Sequence, residues 1–303
     1  MSNVYQSDAQ AAPLVSVIVP AYNSFGTIPE FLCALRRQTF TDFETIIVNS
    51  SPETQTGKLV AEGLPEAHFE QSPVRLLPHA ARNRGVELAK GRLLVFTDPD
   101  CVAESGWLRA LVEANQRDHR VVVGSMGLIG TSAFERAVHL CKFSSWLPGL
   151  PEGRAIIAPT ANALYAREVW DAIGPFQGDS FSSDTLHTWR AAAKGFPAWF
   201  EPKAVVSHHH EGNMRSFLRE RYLRGADFAR LRVREEKRSK TWALVHLLAL
   251  PAIPFLELVR VFLRAIRSGW LGPFIQTAPL QLAANSAWAL GEARTHARLV
   301  FGK

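Results

Sequence analysis

Cysteine is scarce. Cys33, Cys101 and Cys141 are the only three in 303 residues, separated by 68 and 40 positions. That excludes a disulfide scaffold and a C-x-x-C zinc site, and it fits a reducing compartment. The opening stretch MSNVYQSDAQAAP has no Lys or Arg and no apolar run. It is read as a disordered lead-in over 1–12, not as a secretory signal. A glycine-rich phosphate loop is also lacking. The turn after the first apolar run is Pro20-Ala21-Tyr22-Asn23-Ser24-Phe25-Gly26, with no G-x-G-x-x-G. Gly57-Lys58 resembles the tail of a P-loop, but Pro52 replaces the leading Gly and Leu59 the Mg²⁺-holding Ser or Thr. Dinucleotide-dependent dehydrogenases and P-loop NTPases thereby lose their main support.

Net positive charge is lacking outside one region. The net charge is +6, and residues 215–240 hold ten basic against four acidic residues. This stretch carries the whole excess and the rest is balanced, so no nucleic-acid partner is expected.

Short apolar runs alternate with helical patterns through the first hundred residues. LVSVIV (14–19), FETIIV (43–48), VRLL (74–77) and RLLVFT (92–97) read as strands. Between them, apolar residues fall at helical spacing. Buried strands alternating with helices predict an α/β fold with a mostly parallel sheet. Gly91 is read as a helix C-cap and Ser105 as an N-cap before a helix at 107–115. VVVG (121–124) is a further strand, 144–160 a long loop, 184–194 a helix, and AWF and AVVSH two more strands.

Ligands of open parallel sheets bind at the carboxyl ends of strands. Here those ends carry Pro20 to Asn23, Asn49-Ser50-Ser51 and Asp98-Pro99-Asp100. Two carboxylates one residue apart repel each other unless a cation sits between them, and carboxylates suit Mg²⁺ or Mn²⁺. Arg82 and Arg84, ahead of that strand, offer bidentate partners for phosphate. His208 and His210 alternate along a strand and so share a face.

VSVIVPAYNSFGTIPEFLCALRRQTF, FETIIVNSS and ARNRGVELAKGRLLVFTDPD, in this order and spacing, closely resemble the family 2 glycosyltransferases of the GT-A fold, over about residues 14–210. The resemblance implies a GT-A catalytic domain over 13–212 and a nucleotide-diphosphate sugar as donor. It places Pro20, Ala21, Tyr22, Asn23, Asn49 and Ser51 at the nucleoside and Arg82 at the diphosphate. Asp98 goes to the ribose and metal, and Asp100 to the Mn²⁺ or Mg²⁺. Ser183-Asp184, in SSDTLHTWR, stands at the family's E-D-x-x-L-x-x-R, so Asp184 becomes the general base and Arg190 the motif's Arg. Trp189, Arg190 and His208 are candidate acceptor or phosphate contacts. Three positions depart from the pattern. Asn49-Ser50-Ser51 replaces Asp-Asp-Gly-Ser, Ser183 replaces Glu, and His187 takes the Leu. The processive enzymes' Q-x-x-R-W is absent, so single-sugar transfer is expected; the resemblance implies inversion and a lipid-linked or cell-surface glycan as acceptor. A non-catalytic GT-A module binding nucleotide or glycan is the alternative. A nucleotidyltransferase would want a Gly- and Lys-rich phosphate loop.

Residues 213–303 read as a basic and apolar helical extension. Trp242–Leu263 is as long as a bilayer span, but it holds His246, Glu257, Arg260 and two prolines. Basic groups flank both its sides, which opposes a spanning reading. Two readings stay open. In one, the basic helix and an interfacial hairpin anchored by Trp242 and Trp270 seat the enzyme on an anionic membrane surface, peripherally on the inner, cytoplasmic face. In the other, the extension packs on the core.

Overall fold

The computed structural model describes residues 12–178 and 180–302. The expected lead-in lies, Ala12 apart, outside the described residues. Among the described residues, nine strands form one mixed sheet: β1 Val15–Ala21, β2 Phe43–Asn49, β3 His68–Gln71, β4 Leu93–Thr97, β5 Cys101–Ala103, β6 Val121–Ile129, β7 Gly153–Ala155, β8 Asn162–Ala166 and β9 Ala198–His209. Their order is β3-β2-β1-β4-β8-β6-β9-β5, with β7 also on β9. β1 to β4 are parallel, in register Val15↔Phe43 and Val15↔Leu93. β8 then runs antiparallel to both β4 and β6. The parallel half reads as continuous apolar runs because both its faces are covered.

Helices α1 Ile28–Arg36, α2 Gln55–Gly63, α3 Pro78–Leu88, α4 Trp107–Gln116, α5 Ala133–Phe143, α6 Arg167–Ile173 and α7 Ser183–Ala193 flank the sheet. Four more follow: α8 Met214–Glu235, α9 Lys240–Ala249, α10 Ile253–Ser268 and α11 Leu271–Phe301. α8 begins in a capping box of Asn213 and Ser216, and Gly269 ends α10 in the left-handed conformation. The extension is not a separate body. Val261, Ala265 and Phe274 pack with Leu140 and Leu147, and Phe217 and Ala284 with Val138 of α5.

Several local expectations are corrected. VRLL is not a strand: Pro73 and Pro78 bracket it, and Val74 and Leu77 are exposed. The strand beside β2 is the polar, half-exposed HFEQ at the sheet edge. Gly91 does not cap α3, which ends at Leu88. Its N–H donates to Ser16 Oγ at 2.8 Å, and a Cβ there would strike the Ser16 backbone. Gly106, not Ser105, precedes α4, without a side-chain cap. The loop at 144–160 contains a 3-10 turn and β7. AWF and AVVSH are one strand, β9, with a register shift opposite Gly124 and Ser125. The sequence of 270–290 reads as a second apolar stretch broken by Pro273 and Pro279, but α11 runs through both.

Candidate active site

A cleft of about 1030 Å³ opens between the carboxyl ends of the parallel strands and helices α8, α10 and α11. From β1 it is lined by Pro20, Tyr22 and Asn23. Asp98 and Asp100 enter it from the β4–β5 turn, and Asp184 from the first turn of α7. Asn23 has φ 53°, a left-handed conformation that Asn tolerates better than most residues. It turns the chain sharply off the strand end. The exposed Tyr22 ring carries the Arg75 guanidinium 4.4 Å from its centroid.

The two D-x-D carboxylates do different things. Asp98 takes an ion pair from the buried Arg82, whose Nε has no partner. Asp100 lies 3.6 Å from His208 Nε2. Burial raises its carboxyl above the ordinary range, His208 opposes that, and Asp98 adds to it. Donor atoms of Asp100, Cys101 and His208 all lie within 4.8 Å of one another. The Asp100 carboxylate oxygen fits Mn²⁺ or Mg²⁺, and an imidazole nitrogen beside it suits Mn²⁺ better than the harder Mg²⁺. A cation would also relieve the cost of a buried charge on Asp100. Cys101 is a poor third ligand, since burial holds its thiol well above the usual value and so protonated. The rings of His208 and His210 stack at 4.7 Å. Behind them, His139 Nε2 meets the Met126 carbonyl at 3.0 Å and its Nδ1 meets His210 Nε2 at 3.1 Å. A carbonyl only accepts, so His139 donates through Nε2 and receives at Nδ1.

Asp184 sits half-buried in the first turn of α7, after the N-cap position held by Ser182. Its Oδ1 accepts from the Thr185 N–H at 2.7 Å. Burial raises its carboxyl, with Arg224 and Arg82 pulling the other way.

Comparison with known proteins gives the family and the fold. The model of the Glycosyl transferase family 2 domain matches residues 16–178. The chain belongs to glycosyltransferase family 2. Glycosyltransferase AglE of Haloferax volcanii is 26% identical over 204 residues, covering 65% of this chain and 67% of that protein. "Uncharacterized glycosyltransferase EpsJ" of Bacillus subtilis is 33% identical over 118 residues, but these span only 37% of this chain and 33% of that protein. Among solved structures, the mannosyltransferase PcManGT of Pyrobaculum calidifontis, in complex with GDP-Man and Mn²⁺, aligns with 97% of this chain and 89% of its own. The TM-score is 0.63 at 20% identity, so this likeness speaks for the GT-A fold.

Within this family 2 glycosyltransferase, five sequence candidates lie off the cleft lining. Ala21 is buried in β1. Asn49 is fully buried; its Nδ2 donates to Gln71 Oε1 at 2.9 Å and its Oδ1 accepts from Ser51 Oγ at 2.6 Å. Ser51 also donates to Glu53 Oε1 at 2.9 Å. Trp189 packs toward Phe228, and Arg190 is exposed on the outer side of α7. His187, at the motif's Leu position, is buried among Tyr165, Trp170 and Phe176. It fills an apolar slot as a neutral imidazole, its pKa lowered to about 4 by burial.

Six basic cleft residues were not singled out as such in the sequence: Lys142, Arg221, Arg224, Arg232, Arg260 and Arg264. Lys142 and Arg224 both bond Glu220, at 3.1 and 2.7 Å. A signal existed. Arg221, Arg224, Phe228 and Arg232 follow the spacing of one helical face, and this face of α8 turns into the cleft. Three of its seven arginines therefore point inward rather than across a flat basic surface. The two expected tryptophan anchors are also engaged internally. Trp242 stacks on His246 and Trp270 on His139.

Proposed function

We propose that this enzyme moves a single sugar, with inversion, from a nucleotide-diphosphate sugar to a hydroxyl acceptor, using Mn²⁺ or Mg²⁺ at Asp100 and His208 and Asp184 as the base. The observation that carries this reading is the convergence of Tyr22, Arg82, Asp98, Asp100, His208 and Asp184 on one cleft. The nucleoside is assigned to the β1 end, where Tyr22 offers a ring face and Asn23 a polar turn. The diphosphate follows toward Asp100; Asp100 and His208 would hold the divalent ion, which would supply charge stabilisation for the leaving group. Arg82, held by Asp98, adds fixed positive charge on the same side. The acceptor hydroxyl then faces Asp184. Oδ1 is held by Thr185, so Oδ2 is left to take the proton. As the acceptor oxygen bonds to the anomeric carbon, the bond to the diphosphate breaks, its electron pair leaves with the diphosphate, and the proton passes to Asp184. Burial that raises the Asp184 pKa makes it a stronger base.

The acceptor is placed at a membrane surface on the cytoplasmic side. Support comes from α9 and α10. The segment Lys240–Ser268 is long and apolar enough to cross a bilayer, and Leu248, Phe255, Leu256 and Val259 are exposed along it.

The test is nucleotide release from a panel of nucleotide sugars, with and without Mn²⁺. At least one donor should be turned over, faster with the ion, and Asp100→Ala should lose metal-dependent nucleoside diphosphate binding. If nucleotide binds but no donor turns over, with or without an acceptor, the chain is a binding module instead.

A further inference from the structure

The wall of the cleft opposite the D-x-D turn is more basic than the proposed reaction requires. Five arginines line it, from Arg221, Arg224 and Arg232 on α8 to Arg260 and Arg264 on α10, against Glu257 and Glu292. Most are neutralised locally. Arg224 pairs with Glu220, Arg232 with Glu236, and Arg260 with Glu257. Glu292 is taken by His246 and by the Trp288 N–H. Two are not. Among the described residues, neither Arg221 nor Arg264 has a carboxylate partner. Glu257 is close enough to influence both, yet it hydrogen-bonds Arg260.

These two guanidinium groups are held in place rather than solvated. Arg221 sits over Trp288, its Cζ 4.3 Å from the ring centroid, and its Nη2 reaches Asn285 Oδ1 at 3.3 Å. Its Nε is buried without a partner, and so is Asn285 Nδ2. Arg264 Nη1 donates to Ser144 Oγ at 3.2 Å. Both arginines meet the C-terminal end of α5, Arg221 beside Cys141 and Arg264 at Ser144. The orphaned atoms at Arg221 and Asn285 are donors, and burying a charge unpaired is costly. A site of fixed guanidinium groups with spare donors fits the oxygens of a phosphate. The cleft wall continues from there over Ile253 and Leu256 to the exposed apolar face of α10.

We infer that Arg221 and Arg264, with Asn285, form a phosphate subsite on the acceptor side of the cleft, and that the acceptor is an amphiphile whose phosphate sits there while its apolar chain leaves along α10. This rests on the glycosyltransferase reading above and specifies its acceptor. The donor's own diphosphate has the same chemistry, so the test separates the two sources.

The full chain, saturated with Mn²⁺ and a nucleoside diphosphate, is titrated calorimetrically with decyl phosphate and with decanol. Decyl phosphate should bind and be displaced by inorganic phosphate, with decanol at least about tenfold weaker, the value of a charge-assisted hydrogen bond. Arg221→Gln and Arg264→Gln should each weaken decyl phosphate about tenfold while Mn²⁺-dependent nucleoside diphosphate affinity stays at the parent value. That retained affinity also shows that the variants are folded. If Arg221→Gln does not fold, Arg264→Gln carries the test alone. Equal binding of decanol and decyl phosphate would overturn the subsite. So would variants that lose nucleoside diphosphate and keep decyl phosphate, since the arginines would then serve the donor. Failure of the parent protein to bind nucleoside diphosphate at all is a different result and counts against the glycosyltransferase reading itself.

Discussion

Asp184 and His187 lie three residues apart on α7, and burial shifts both toward their neutral forms, in opposite directions along the pH scale. The Asp184 carboxyl is raised and the His187 imidazole is lowered to about 4. For Asp184, folded-state stability is fully present below the unfolded pKa and is lost as pH rises through the folded one. For His187 the unfolded chain binds the proton more readily, so stability falls as pH drops from about 6.5 toward 4. Asp184→Asn should therefore raise the melting temperature at neutral pH, with the gain vanishing in acid. His187→Gln should flatten the acid limb of stability between those values. In kinetics, Asp184→Asn should cost about a hundredfold or more in kcat with donor binding intact, as for loss of a general base. Full turnover in that variant would place the base elsewhere. An acid limb unchanged in His187→Gln would mean that the imidazole is not kept neutral by its aromatic surroundings.

At the scale of elements, the C-terminal wall depends on two glycines. A Cβ on Gly225 would strike the Trp288 carbonyl, and one on Gly291 the Tyr222 carbonyl. The α8–α11 crossing is thus a backbone-to-backbone contact with no room for a methyl group. Gly291→Ala should destabilise the fold by about 1–3 kcal/mol, the usual cost of overpacking. It should also shift the arginines of α8 and weaken activity, which urea unfolding together with steady-state kinetics would show. Parent-like stability would mean that the helices slide apart freely. None of this was legible in the sequence, because a helical glycine shows its propensity cost and not the neighbour that demands it. The parallel half of the sheet was legible, since Val15–Ala21, Phe43–Asn49 and Leu93–Thr97 are buried on both faces and read as unbroken apolar runs. β3 was not, because an edge strand with one neighbour tolerates the polar HFEQ. Nor were β5, β7 and β8, short strands paired to distant partners. The D-x-D turn stood out as paired carboxylates at a strand end, and Asp184 through the family resemblance; both line the cleft. Arg221 and Arg264 did not, since only the packing of α8 and α10 over α5 separates an inward arginine from a solvated one.

Across the whole molecule, the sheet carries the residues proposed for the donor and the last four helices close the cleft over them, so on that proposal the outer surface of those helices sets where the acceptor comes from. The basic excess of residues 215–240 was expected to lead membrane binding. In the fold much of it is spoken for: Arg224, Arg230, Arg232, Arg234 and Arg238 all meet carboxylates. The apolar side chains are not. Leu248 is 77% exposed, Phe255 58% and Val259 54%, on a segment also flanked by basic residues. Exposed apolar area of this kind marks an interaction surface, and laid on a headgroup boundary it would bind by burial more than by charge. The full chain should therefore co-sediment with vesicles containing anionic lipid. High salt should reduce the bound fraction only in part, because each exposed basic residue adds about 1 kcal/mol at low salt and is then screened. Leu248→Glu with Phe255→Glu should release the protein into the supernatant while leaving hydrolysis of a soluble nucleotide sugar at the parent rate. Binding that survives the double substitution but disappears in high salt would return the role to the remaining free basic residues of α8. A parent protein that stays in the supernatant at low salt would show that the apolar face of α10 does not meet lipid.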